Sequence, residues 1–107
     1  MEIGIFSKTF ARPTLGAVLD AVADHGVHAV QFNLSCAGVG EMPATIAPDL
    51  CATIRQEMAT RGIAIAAISG TFNMIHPNLA ERQDGLRRLR TLAAACQDLG
   101  TSVITLC

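Results

Sequence analysis

Charge is scarce in this chain. Only 16% of its 107 residues are Asp, Glu, Lys or Arg, and the formal net charge is -1. A surface that gathers phosphate backbones needs clustered Lys and Arg, so this balance argues against a nucleic-acid partner. Lysine is represented by Lys8 alone, and the other cations are arginines. Three of them, Arg87, Arg88 and Arg90, stand close together on one stretch of helical pattern and read as a solvated outer face. Long apolar runs are missing as well. No segment approaches the ~20 continuous apolar residues that a bilayer span needs, so no membrane is expected. The opening residues Met1-Glu2-Ile3-Gly4-Ile5-Phe6 carry an acid and no basic run, and read as a strand and not as a signal peptide. The cysteines at 36, 51, 96 and 107 form no Cys-x-x-Cys pair, which removes the zinc knuckle and the thioredoxin-like motif. Cys51 and Cys96 fall on apolar helix faces, as small core residues do. The expected setting is a reducing, cytoplasmic one.

What is present is hydrophobic: half of all residues. That is enough, at this length, for one domain with a real core, and it suggests elements buried on both sides. Ile3 to Ser7 reads as a first strand. Thr14 is placed to cap a helix running to about His25, whose Leu15, Val18, Leu19 and Val22 fall at i, i+3, i+4 and i+7. Gly26 then stands where a helix-ending glycine belongs, and residues 27–32 read as strand two. The connection from Leu34 to Ala47, with Gly38, Gly40 and Pro43, exceeds the usual ~2–6 residues and is either functional or a loose surface insert. Pro48 suits the first turn of a second helix with Leu50, Cys51, Ile54 and Met58 inward. Residues 63–69 form the most apolar run, a strand covered on both faces. A third helix is expected from Asn78 to about Leu99, with Leu86, Leu89, Ala93 and Cys96 inside, and residues 102–106 read as strand four.

Gly26, Gly62 and Gly100 each join a helix end to a strand start. The resulting α/β order, parallel βαβαβαβ in one domain spanning 1–107, predicts either the N-terminal half of a (β/α)8 barrel or a small open doubly wound sheet. A half barrel leaves strands one and four as open edges and its inward face bare. Such surfaces favour a homodimer or a larger assembly.

One stretch stands out for chemistry. Ser69-Gly70-Thr71-Phe72-Asn73-Met74-Ile75-His76-Pro77 carries a buried strand into a polar turn, at the end of the strand where parallel α/β folds place their sites. Together with the N-terminal strand, Gly26-Val27-His28-Ala29-Val30-Gln31-Phe32 and Leu99-Gly100-Thr101-Ser102-Val103-Ile104-Thr105-Leu106-Cys107, this stretch resembles the xylose isomerase-like TIM-barrel superfamily. The sugar phosphate isomerase/epimerase proteins are its most similar branch. The Asn-Met-x-x-Pro turn followed by an Arg-rich helix is the most specific element. The resemblance implies a divalent metal, Mn²⁺ or Mg²⁺, and proton transfer through an enediol-like intermediate at a sugar carbon. A hard cation there polarises the carbonyl while a carboxylate takes the neighbouring proton. In the family the metal ligands come from later strands. No catalytic or metal residue is therefore carried over, Glu41 and the other glutamates included, and the 107-residue chain is expected to be inactive and metal-free alone.

The resemblance does carry over a substrate wall at the strand ends. Phe6 and Ser7 follow strand one, Gln31 and Asn33 follow strand two, Ser69, Asn73 and His76 follow strand three, and Cys107 ends strand four. The structural alternatives are His76 as a cap of helix three, Asn73 bonding its own turn, Phe6 as core, and Lys8 as a solvated loop residue. Two other functions stay open. One is an endonuclease IV-like DNA-repair enzyme, which would need strand-end histidines. The other is a half-barrel assembly module without catalysis.

Overall fold

The computed structural model describes residues 3–72 and 75–106. Four strands alternate with three helices: β1 (Gly4–Phe6), α1 (Leu15–Asp24), β2 (Ala29–Phe32), α2 (Pro48–Thr60), β3 (Ala64–Gly70), α3 (Leu79–Leu99) and β4 (Ile104–Leu106). Short 3-10 turns follow β1 at Ser7–Thr9 and β2 at Leu34–Ala37. The helix boundaries are local chemistry. Thr14 Oγ1 accepts from the Ala17 N–H at 3.1 Å, and Pro48 opens α2. Asn78 Oδ1 accepts from the N–H groups of Ala80 and Glu81, at 2.9 and 3.3 Å, to start α3. Gly100 follows α3 in the left-handed conformation, with φ +82°, which costs glycine nothing.

All strand pairs are parallel, in the order β1-β2-β3-β4. That order decides between the two expected folds. A doubly wound sheet reverses its strand order to place helices on both faces. Here each unit steps the same way, and all three helices pack on one face. The core joins Leu19 and Val22 of α1, Ile54 and Met58 of α2, and Leu92 and Leu99 of α3 to Val30, Phe32, Ile65 and Ile68 of the sheet. The architecture is half of a TIM barrel, with β1 and β4 as its edges.

The strand register assigns every side chain to a face. Ile5, Val30, Phe32, Ile68 and Ile104 are cross-strand partners on the helix side. Phe6 pairs with Gln31, Gln31 with Ala67, and Ser69 with Thr105, so these residues share the other, helix-free face. Between Val30 and Gln31 the register shifts by one: Val30 opposes Ile65 and Gln31 opposes Ala67. Ala66 is the extra residue of a β-bulge, and it is exposed.

Two expectations are corrected. The inner face of α3 is Gly85, Leu92, Ala95, Cys96 and Leu99. Cys96 belongs to it, but Leu86 is 45% exposed and Ala93 is exposed too. The apolar positions of α3 cover two adjacent stripes. Only one meets β3, while Ala93 lines an open groove beside Ile104 of the edge strand. The second correction concerns the arginines. Arg87 and Arg88 are not simply solvated: both bind Asp84, and Arg88 Nη1 also donates to the Met42 carbonyl at 2.7 Å. Thr91 Oγ1 donates to the Ala44 carbonyl at 3.1 Å. These bonds pin the long 34–47 connection onto α3, and Leu34 at its start is fully buried. It is an ordered segment, not a loose insert.

Candidate functional site at the strand ends

The C-terminal ends of the strands gather most of the sequence-selected residues. Phe6 is 47% exposed on the helix-free face. Gln31 Nε2 donates to Thr105 Oγ1, a bond that has to pass over β3. It can do so because the partner of Gln31 on β3 is Ala67, too short to obstruct it. Ser69 is buried, with its hydroxyl 3.4 Å from that of Thr71. Phe6, Gln31, Ser69 and Thr105 thus form a neutral strip across all four strands. It offers a ring, a carboxamide and hydroxyls, the groups that suit a hydroxylated small molecule.

Ser7 and Asn33 behave differently. Both are fully buried. The Asn33 N–H donates to Ser7 Oγ at 2.9 Å, and the Ser7 hydroxyl donates to Asn33 Oδ1 at 3.3 Å. Since that hydroxyl has one proton, the contact of 3.4 Å to Cys36 Sγ is a thiol donating to Ser7 Oγ. The Lys8 N–H also donates to Asn33 Oδ1, at 3.3 Å. Ser7 and Asn33 therefore tie the ends of β1 and β2 together. Their hydroxyl and carbonyl oxygens are spent on that bond and are not presented as a wall. Lys8 Nζ lies 3.9 Å from Glu41 Oε1, which also accepts from Ser35 Oγ at 2.9 Å. Glu41 belongs to the long connection and to no strand end, so strand alternation does not mark it for this place.

His76 sits at the start of α3. Its Nδ1 accepts from the Asn78 N–H at 3.0 Å, so the ring proton is on Nε2, which donates to Glu81 Oε2 at 2.6 Å. The ring is thus engaged in capping. It lines a hollow of about 320 Å³ with Met42, Phe72, Glu81, Asp84, Gly85 and Arg88. Neither Gln31 nor Ser69 contributes to that hollow, so His76 and the strand-face strip are separate. The Arg88 hydrogen bond, with help from Arg87, holds the Asp84 carboxyl below its ordinary pKa. Asn73 and Cys107 fall outside the described residues. Among the described residues no group of three or more His, Cys, Asp or Glu side chains is placed to hold a metal ion.

One residue on the wall of the hollow was not legible as functional. Gly85 lies inside α3, where glycine costs about 1 kcal/mol relative to alanine. A Cβ there would overlap the Phe72 ring, meeting Cε2 at 2.8 Å. Glycine is the seat for the ring that follows β3. Gly85→Ala is expected to gain helix propensity but to lose more by forcing Phe72 aside. The net cost should be roughly 1 kcal/mol, within the usual range for overpacking. Urea denaturation reads this, and a more stable variant would contradict it.

Comparison with known proteins returned no curated protein. Among solved structures, a xylose isomerase-like TIM barrel/4-hydroxyphenylpyruvate dioxygenase fusion protein is similar over 100% of this chain and 16% of its own, with TM-score 0.72 and 21% identity. A putative uncharacterized protein from Parabacteroides distasonis is similar over 98% of this chain and 42% of its own, with TM-score 0.70 and 20% identity. The probable 3-DHS dehydratase involved in petrobactin synthesis from Bacillus anthracis is similar over 99% of this chain and 38% of its own, with TM-score 0.66 and 10% identity. The chain spans less than half the length of each, and at these identities the likeness is one of fold. The model of the xylose isomerase-like TIM barrel family matches residues 19–107. With four parallel strands, three helices on one face and that match over most of its length, the chain belongs to the xylose isomerase-like TIM barrel family.

Proposed function

We propose that the chain supplies the N-terminal wall of a divalent-metal-dependent sugar or sugar phosphate isomerase/epimerase barrel, in which a proton moves through an enediol-like intermediate. The observation that carries this reading is the neutral strip of Phe6, Gln31, Ser69 and Thr105 on the helix-free face. It lies at the strand ends, where barrels of this kind hold their substrates. In this reading the strip receives hydroxyl groups of the sugar. The described residues do not themselves fit a divalent cation. In this reading the metal, Mn²⁺ or Mg²⁺, and the proton-transferring carboxylates are supplied by other parts of the barrel, and the chain alone is inactive.

A sugar suits the charge distribution better than a nucleic acid does. Net charge is -1, and Arg87 and Arg88 are occupied by Asp84. The bare face and open edges go with a second copy of the chain or a larger assembly covering them. No helix among the described residues is long and apolar enough to cross a membrane. The free thiols Cys36, Cys51 and Cys96 accord with a reducing, cytoplasmic setting.

The test is the purified chain mixed with Mn²⁺ and a panel of ketoses and ketose phosphates in D₂O, followed by NMR. Shifts at Phe6, Gln31, Ser69 and Thr105 are expected, with no deuterium entering the sugar. Deuterium exchange would overturn the assignment of catalysis to other parts of the barrel. Shifts that spare these four residues, or none at all, would overturn the wall.

A further inference from the structure

The hollow of about 320 Å³ beside the start of α3 has a mixed wall. Its volume falls at the low end of the ~300–1,000 Å³ usual for small-molecule sites. Phe72 and Met42 give it apolar surface, and Phe72 lies against the helix there only because residue 85 is glycine. The polar groups of the wall are only partly used. Arg88 donates from Nε to Asp84 Oδ2 at 2.8 Å and from Nη1 to the Met42 carbonyl at 2.7 Å. Those two bonds orient the guanidinium, and among the described residues they leave the Nη2 hydrogens unspent. Glu81 Oε2 holds His76 Nε2 at 2.6 Å, while Oε1 takes no bond from a described residue and the side chain is 60% exposed. An oriented donor and an open acceptor thus stand on the wall of one hollow that solvent reaches. The charges beside them answer one another: Asp84 pairs with both Arg87 and Arg88.

We propose that this hollow is a subsite for a neutral polyhydroxylated group, a sugar ring or a polyol chain, beyond the end of β3. Such a group needs donors and acceptors in one place, with apolar surface for its C–H groups. Phosphate would meet the carboxylates of Glu81 and Asp84 against a single lining arginine, whose charge Asp84 already shares. An organic cation would meet Arg88 itself. Phe72 stands three residues past Ser69, so their Cα atoms are at most about 11 Å apart. A substrate with its reacting carbon on the strip can therefore place its next ring, or the far end of its chain, in the hollow. This inference rests on the proposed sugar-binding reading and adds to it the part of the substrate remote from the reaction.

The probe is methyl glucoside, whose blocked carbonyl cannot be isomerised, so binding is read apart from turnover and from any metal. In ¹⁵N-labelled chain the Arg88 Nε–H and the Gly85 amide report the hollow, and the Gln31 side-chain amide reports the strip. Saturable shifts at Arg88 and Gly85 are expected. Glu81→Ala should weaken binding there about tenfold or more, as loss of a charge-assisted bond implies. Glu81→Gln keeps an acceptor oxygen and should recover part of that loss. Shifts at Arg88 and Gly85 without Gln31 would support the hollow while failing the strip. Shifts at Gln31 alone would overturn the hollow and leave the strip standing, and no shift at all would overturn the hollow too. Equal affinity in Glu81→Ala would overturn the role of Glu81. Inorganic phosphate and tetramethylammonium are titrated in parallel: tighter binding of either at Arg88 and Gly85 would overturn the assignment to a neutral group.

Discussion

Phe32→Ala is expected to destabilise the chain by about 3–5 kcal/mol, the usual cost of emptying a phenylalanine site in a core. Phe32 is fully buried on the central strand β2, on the face that all three helices cover. Its partner across β3 is Ile68, also fully buried, so the cavity would open where sheet and helices meet. Small domains have only roughly 5–15 kcal/mol in total, and a loss of this size removes much of it. Urea denaturation followed by circular dichroism measures the change. Leu86→Ala is the control: Leu86 is 45% exposed, and its truncation should stay within about 0.5 kcal/mol. Equal effects at the two positions would show that the sheet–helix interface is not the core of this fold.

Ser7→Ala is the second large effect, about 1–3 kcal/mol, and its cause is polar. One hydroxyl serves the Asn33 N–H, Asn33 Oδ1 and Cys36 Sγ, all within 3.4 Å. Removing it leaves the buried Asn33 N–H with no acceptor, and the full desolvation penalty of that group is then felt. The effect should be local. Amide exchange at Asn33 should accelerate well beyond the change at Ile65 or Ile68 in the next strand. Uniform acceleration across the sheet would mean that Ser7 contributes general packing and not the β1–β2 tie.

The helices, their caps and the alternating parallel βα order were readable because each rests on local chemistry, whereas the choice of half barrel over doubly wound sheet needed the strand order. Thr14, Pro48, Asn78 and the glycines at 26, 62 and 100 mark boundaries by what their own backbones can do. The inner face of α3 was misread because apolar residues on two adjacent stripes have the same period as those on one. Only the tertiary structure says which stripe meets the sheet. The site was legible where strand alternation governs it: Phe6, Gln31 and Ser69 lie on one face, as their positions at strand ends suggested. It was illegible where contact depends on a loop. The approach of Glu41 to Lys8 and Ser35 is set by the path of the 34–47 connection, which arginine and threonine side chains of α3 hold from a distance. The engagement of His76 with Asn78 and Glu81 likewise follows from the start of α3 and not from β3.

The extra residue at Ala66 has a consequence for evolution of the site. Along an unbroken strand, positions 65 and 68 would face opposite ways, since they are three apart. The bulge is a half-period phase slip, and it lets both isoleucines enter the core while Ser69 turns toward Gln31 and Thr105. One inserted alanine therefore decides which residues downstream of it are structural and which are available to a ligand. Deleting it would exchange the two sets in a single step: Ala64 and Ile65 would stay in phase with β2, while Ser69 would be aimed at the helices. In this half barrel the chemistry available after β3 is encoded by a count of residues as much as by their identity.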